Sequence, residues 1–324
     1  MLDNLSIKNK KLHINNQSLT LYFGAAAIII IFTIACQLAG KRFLTIGNIQ
    51  NIITQSSVIA LIAIGQSFVI ITGGIDLSVG SVVGFVGIFS GLLIKSNVPL
   101  TVVCLLALIS GTIMGLFNGA LVSKGKVPAF IVTLGSMQII RGITMVLNKG
   151  KPVSGFPAEL SNITNFKIFG MPISILYVFI LYIIMVTIIT KTKFGKYIYA
   201  IGGNEKAAKL SGVKTQKVEM LAYAIGGLFA AVGGIFLLSR LSYADPNAGM
   251  GYELDSIAAV VIGGIALSGG KGKLINTLVG ALILGSLKCG LQILNVPIYY
   301  QKIIIGITIV AAVYFDKAKE RKSE

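Results

Sequence analysis

The chain has no tryptophan, one histidine, three cysteines and only 11 acidic side chains among 324 residues. Charged residues make up 12% of it, about half the share of an ordinary soluble domain. Each scarcity removes a class of function. His13, the lone histidine, sits in the polar N-terminal segment, which rules against histidine general-base catalysis and His-ligated metal. Cys36, Cys104 and Cys289 each lie inside an apolar run and form no C-x-x-C pair. They read as small buried side chains rather than zinc or redox groups. The phosphate-loop pattern G-x-x-x-x-G-K-[ST] is absent, because Gly270-Lys271 and Gly272-Lys273 lack a glycine five positions upstream, so the chain cannot be an ATPase by itself. No buried series of carboxylates suggests a proton relay, and no regularly spaced arginines suggest a voltage sensor.

What is present is apolar: 55% of the residues, with a mean hydropathy of +0.86. A soluble fold of this length could not hide that much apolar surface, so lipid is part of the solvent. A soluble enzyme, a secreted disulfide scaffold and a disordered tail protein are excluded. The net charge of +17 is then a question of which side of the membrane each Lys and Arg occupies, not of nucleic acid. With tryptophan missing, Tyr and Phe must form the interfacial belt.

A helix needs roughly 20 apolar residues to cross the ~30 Å hydrocarbon core. The apolar runs predict an all-α, polytopic membrane bundle of about ten spans, at 21–40, 55–72, 78–94, 99–122, 128–147, 172–190, 220–239, 255–268, 274–294 and 298–315. Residues 21–40 are too long for a signal-peptide core and lack an A-x-A site, so they read as a retained anchor. Phe43–Asn51 looks too polar for lipid and reads as an interfacial lead-in. The 255–268 stretch is short, hence tilted, re-entrant or broken. With a cytoplasmic N-terminus, eighteen basic residues fall inside and seven outside, which places both termini in the cytoplasm. The expected organisation is a cytoplasmic tail at 1–20, a transmembrane domain at 21–315 and a second cytoplasmic tail at 316–324. Glycine is abundant, at 38 residues, and its clusters within spans suit close helix packing. Gly73-Gly74-Ile75-Asp76-Leu77-Ser78 recurs loosely as Gly263-Gly264-Ile265-Ala266-Leu267-Ser268, either a trace of duplication or chance.

Three features invite function. The loop 191–219 carries seven lysines, and within it Asn204 can cap a short helix that Gly212 ends in left-handed geometry, with Glu205 in the first turn. Such a helix either docks on a cytoplasmic partner or lies as a solvated, headgroup-facing loop. Asp76 follows the Gly73-Gly74 break. It is either a helix cap near the surface or a deep group that needs a cavity or a partner. Arg141, within a span, lines a path, pairs or snorkels; Lys288 and Lys302 lie nearer span ends and read as snorkelling. The polar loop Arg240–Asp255 is either a docking surface for an external protein or a plain connector.

Four blocks, in order, resemble the permease subunits of bacterial ABC sugar importers of the ribose/xylose/galactose type. They are Gly73-Gly74-Ile75-Asp76-Leu77-Ser78-Val79-Gly80-Ser81; Val127 to Met137, continuing to Arg141-Gly142; Gly202 to Val213; and Gly263-Gly264 with Gly269-Gly270-Lys271-Gly272. The resemblance spans residues 45–315. It implies that residues 203–212 form a coupling helix, carried by Asn204, Glu205, Ala207, Ala208, Leu210 and Gly212, seated in a separate cytoplasmic ATPase. It also implies a second permease chain, usually as a homodimer, an extracytoplasmic sugar-binding protein, and residence in the bacterial inner membrane. ATP and magnesium would sit on the partner, with no cofactor in this chain. A neutral monosaccharide path needs hydroxyl and amide groups, for which Asn51, Gln55, Gln66, Ser67, Asn118 and Gln138 are the candidates, with Gly73, Gly74 and Asp76 as a structural break or cap. The competing readings are an ion-coupled secondary transporter acting alone, an ABC permease for branched-chain amino acids or nucleosides, and a membrane scaffold.

Overall fold

The computed structural model describes residues 16–321. The N-terminal tail through residue 15, with Lys8, Lys10, Lys11 and His13, and residues 322–324 lie outside the described residues. Among the described residues the chain is predominantly helical. The helices are α1 (Asn16–Leu38), α2 (Ile46–Ile71), α3 (Val79–Lys95), α4 (Leu100–Ser123), α5 (Ala129–Leu147), α6 (Ala158–Asn165), α7 (Ser174–Lys191), α8 (Lys193–Gly203), α9 (Glu205–Leu210), α10 (Thr215–Leu241), α11 (Tyr252–Ile262), α12 (Leu274–Ile293) and α13 (Ile298–Arg321). Short strands β1 (Val153–Ser154) and β4 (Tyr243–Ala244) pair antiparallel and tie the two long loops at one end of the bundle together; β2 (Lys167–Ile168) and β3 (Met171–Pro172) form a hairpin.

Seven described helices, α1, α2, α4, α5, α7, α10 and α12, are long and apolar enough to cross a membrane. Helix α3 and the 298–311 part of α13 are apolar but shorter, and α11 has 11 residues. The expected ten spans therefore are not ten full-length helices. The 255–268 stretch ends its helix at Ile262, and 263–273 continues as irregular backbone.

Helices α2, α3, α10 and α12 form the centre. Helices α1, α4, α5 and α7 surround them and expose side chains such as Ile30, Leu105, Ile139 and Ile183, as lipid-facing helices should. Close approach at the centre depends on missing side chains. On α4, Gly111, Gly115 and Gly119 recur every fourth residue and meet Gly227, Tyr223 and Met220 of antiparallel α10. A Cβ on Gly111 would lie 2.6 Å from the Gly227 carbonyl oxygen, and one on Gly119 2.8 Å from Met220 Cα. In lipid, where no hydrophobic exclusion drives helices together, such backbone proximity supplies the dispersion contact that holds them. Tyr182 of α7 adds polar fixation. Its hydroxyl lies 3.2 Å from the Ala60 carbonyl oxygen and 2.9 Å from Thr277 Oγ1; its single proton goes to one of the two, and when it goes to Ala60 the tyrosine oxygen can accept from Thr277. Tyr182→Phe is expected to lower stability by about 1 kcal/mol in a reversible detergent-unfolding assay; no change would mean that these bonds are replaced in the unfolded state.

Candidate functional site

Helix α2 starts at Ile46, nine residues before the predicted span, with Thr45 capping it by accepting the Asn48 N–H at 3.2 Å. The interfacial lead-in is therefore helix. Its polar residues do not need lipid tolerance, because Asn48, Asn51 and Gln55, spaced i, i+3, i+7, share one face that lines a cavity. This cavity, about 360 Å³, is completed by Arg240, Cys289 and Gln292. A second, about 520 Å³, shares Gln55 and Gln292 with it and extends between α11, α12 and α13, past Tyr252, Asp255, Lys288 and Gln301. Cys289 Sγ donates to Gln55 Oε1 at 2.9 Å, which turns the amide nitrogen of Gln55 away from that bond. Lys288 does not snorkel; its ammonium bonds the Asp255 carboxylate and lies 5.5 Å from the Tyr252 ring centroid. Both members of the pair are largely buried, with side-chain exposures of 15% and 8%.

The other path candidates are elsewhere. Gln66 and Ser67 are fully buried on α2, and Ser67 Oγ bonds back to the Ala63 carbonyl. Gln138 is exposed on α5. Asn118 belongs to a separate buried polar cluster at the α2–α3 break. There Asp76 Oδ1 accepts from the Ser78 N–H at 2.8 Å and from Ser78 Oγ at 2.6 Å. Asn118 Nδ2 donates to Ser78 Oγ at 2.9 Å, and Ser136 Oγ bonds Asn118 Oδ1. Asp76 is thus both a cap-like acceptor at the start of α3 and a deep group: it is 1% exposed and level with Gly226, near the middle of α10. Gly73, at φ +88, ends α2, with its N–H on Ile70 and that of Gly74 on Val69. Gly264, at φ +83, ends α11 the same way, one position out of step with the loose repeat. Arg141 lines neither cavity; its Nη1 donates to the Pro246 and Ala248 carbonyl oxygens at 2.8 and 2.9 Å and pins the 242–251 loop.

At the opposite end of the bundle, Asn204 Oδ1 accepts the Ala207 N–H at 3.0 Å and starts α9. The helix closes with Gly212 N–H on Lys209 and Val213 N–H on Ala208, Gly212 taking φ +83. Glu205 pairs with Lys126 at 3.1 Å. Ala207 and Leu210 are exposed, Leu210 at 89%, whereas Ala208 is buried against its own chain. Behind α9 the backbone is crowded. Gly270 N–H donates to the Ile71 carbonyl at 2.9 Å, and a Cβ on Gly202 would overlap that same carbonyl oxygen. The end of α8 therefore abuts both interrupted segments, the one after α2 and the one after α11. Among the described residues no three His, Cys, Asp or Glu side chains gather as metal ligands.

Residues 48–313 match a family described as "Branched-chain amino acid transport system / permease component". The chain belongs to this permease family. Among the permease relatives, the ribose import permease protein RbsC of Haemophilus influenzae is 43% identical over 90% of this chain and 91% of its own length. That of Bacillus subtilis is 40% identical over 98% of both. The D-allose transport system permease protein AlsC of Escherichia coli is 36% identical over 91% of this permease and 90% of its own length. No solved structure matches.

The amides Asn48, Gln292 and Gln301 and the Tyr252–Asp255–Lys288 group are absent from the sequence-derived path. A signal for part of it exists: Asn48, Asn51 and Gln55 recur on one helical face, and Lys288 and Gln292 are four apart. The Asp255–Lys288 pairing crosses 33 residues and leaves no local trace.

Proposed function

We propose that this chain is the membrane-spanning subunit of an ATP-driven importer that passes a ribose-like monosaccharide inward. The observation that carries this reading is the pair of ribose import permeases at 43% and 40% identity, aligned over nearly their whole lengths. The cavity chemistry agrees. Asn51, Gln55, Gln292 and Gln301 offer amide donors and acceptors suited to hydroxyl groups, with no uncompensated buried charge in the Asp255–Lys288 pair. A passage site of this kind needs little affinity of its own if a separate binding protein delivers the sugar.

The α8–α9 end is read as cytoplasmic, because seven lysines from Lys191 to Lys217 cluster there. This orientation gives ten passes with both termini inside, α3 and α11 acting as partial spans that end at buried breaks. Irregular backbone at such depth is tolerable where protein surrounds it. Helix α9 is the contact for a cytoplasmic ATPase, which supplies ATP hydrolysis with magnesium, and a second copy of this chain completes the path. An external binding protein meets the β1–β4 end.

Ala208 faces its own chain, so Leu210 is the sharper probe of the ATPase contact. Leu210→Asp is expected to cut recovery of the co-expressed ATPase with the tagged permease by about ten-fold, with unchanged membrane accumulation. Undiminished recovery would remove α9 from the interface. Uptake of leucine rather than ribose by the intact complex would transfer the substrate to the branched-chain amino acids that the family description names.

A further inference from the structure

The charged pair in the larger cavity bears on what the cavity admits. Asp255 stands in the first turn of α11 and Lys288 on α12, so the pair bridges two helices at the cavity wall. Both side chains are mostly removed from solvent, and the ammonium is further screened on one side by the Tyr252 ring. Glu253 also borders the cavity, but its carboxylate is held by the Gly251 N–H at 3.1 Å and its other oxygen turns towards α3 beside Gly80; Lys302 is exposed. The lining is therefore largely aliphatic, with the amides Gln55, Gln292 and Gln301, the Tyr252 ring, and two carboxylates balanced by two ammonium groups, of which only the Asp255–Lys288 pair is withdrawn from solvent; Arg240 borders the smaller cavity.

Resting on the sugar-importer reading, we infer that the Asp255–Lys288 pair is the charge filter of the passage: it keeps the cavity neutral and so admits neutral solutes over ionised ones of the same size. An ionised solute meets no unpaired buried charge in this wall, Glu253 being tied to the Gly251 N–H and Lys302 standing in solvent, so its lost hydration is not offset there. Removing Asp255 leaves an ammonium that attracts anions; removing Lys288 leaves a carboxylate that attracts cations. Discrimination by an unpaired charge is a recognised means of rejecting a competitor, and neutrality is its complement.

The test uses the intact complex of permease, ATPase and binding protein in proteoliposomes, with ribose uptake challenged by ribonate or by glucosamine. Asp255→Asn is expected to become at least about ten-fold more sensitive to ribonate than the unaltered complex, and Lys288→Gln at least about ten-fold more sensitive to glucosamine. The double variant Asp255→Asn/Lys288→Gln is expected to return to the unaltered sensitivity to both. If one single variant fails to reach the membrane, the other and the double variant decide. Singles no more sensitive than the unaltered complex, sensitivity that ignores the sign of the inhibitor, or loss of both singles with survival of the double would each overturn the inference, the last by making the pair a folding element. Absence of ribose uptake by the unaltered complex would instead sink the sugar reading, and the charge-dependent effect of the two inhibitors on its ATPase would still report on the pair.

Discussion

Gly202→Val is expected to abolish ATP-driven uptake while the protein still accumulates in the membrane. A Cβ at residue 202 collides with the Ile71 carbonyl oxygen at the very point where Gly270 N–H bonds it, so valine must push α8 away from both the end of α2 and the 263–273 segment. Backbone atoms cannot yield as the tip of a flexible side chain can. The collision lies outside the α4–α10 seam, so insertion is expected to survive, whereas transmission from α9, as proposed above, is expected to fail. Uptake is expected to fall at least about a hundred-fold. The neighbouring Gly203 is the internal control: nothing lies within 4 Å of its would-be Cβ, and Gly203→Ala is expected to retain uptake within about two-fold. Equal behaviour of the two variants, measured as uptake per inserted protein, would contradict a transmitting role for the junction.

The second large effect concerns the seam itself. Gly227→Val places two methyl groups and a Cβ where α10 meets the Gly111 carbonyl of α4. Overpacking ordinarily costs about 1–3 kcal/mol, and here the obstacle is backbone on both sides. Membrane accumulation is expected to fall at least about ten-fold. Gly135, on α5, has nothing within 4 Å, so Gly135→Val is expected to accumulate normally. Quantitative blotting of membrane fractions distinguishes the outcomes, and equal accumulation of both variants would show that the α4–α10 approach is not what holds the bundle.

These contrasts also mark what a sequence can and cannot disclose. Spans such as Leu100–Ser123 and Ser174–Lys191 are legible because a run of about 20 apolar residues has no other stable solution in lipid. The ends of α9 are legible because Asn204 and Gly212 act on backbone groups only a few residues away. Helix α2 is misjudged at its start for the opposite reason. Asn48 and Asn51 look out of place against lipid, whereas the chain that faces them is α12, more than 200 residues downstream. Gln66 and Asn118 have the right chemistry for a sugar path, but one is enclosed within the core and the other serves the Asp76 cluster. Lys288 reads as a snorkelling residue until Asp255 is placed beside it. Periodicity and local capping are written in sequence neighbours, whereas cavities are written in contacts between distant ones.

The two interrupted segments give the molecule a simple mechanical layout. Helix α11, about 16 Å long at 1.5 Å per residue, joins the Asp255–Lys288 pair at the cavity to the segment that abuts Gly202. On the reading proposed above, a displacement of α8–α9 by a bound partner would reach the cavity through one short rigid element and one interrupted helix end. Hinge movement at such element ends is a common way for a small shift at one site to be felt at another.

The most direct measurement is accumulation of labelled ribose in proteoliposomes, comparing this chain alone with the chain joined by its ATPase and binding protein. Accumulation is expected only when all three proteins and ATP are present, and none from the single chain under any imposed ion gradient. Accumulation by the single chain, driven by sodium or protons without ATP, would contradict the ATP-driven reading.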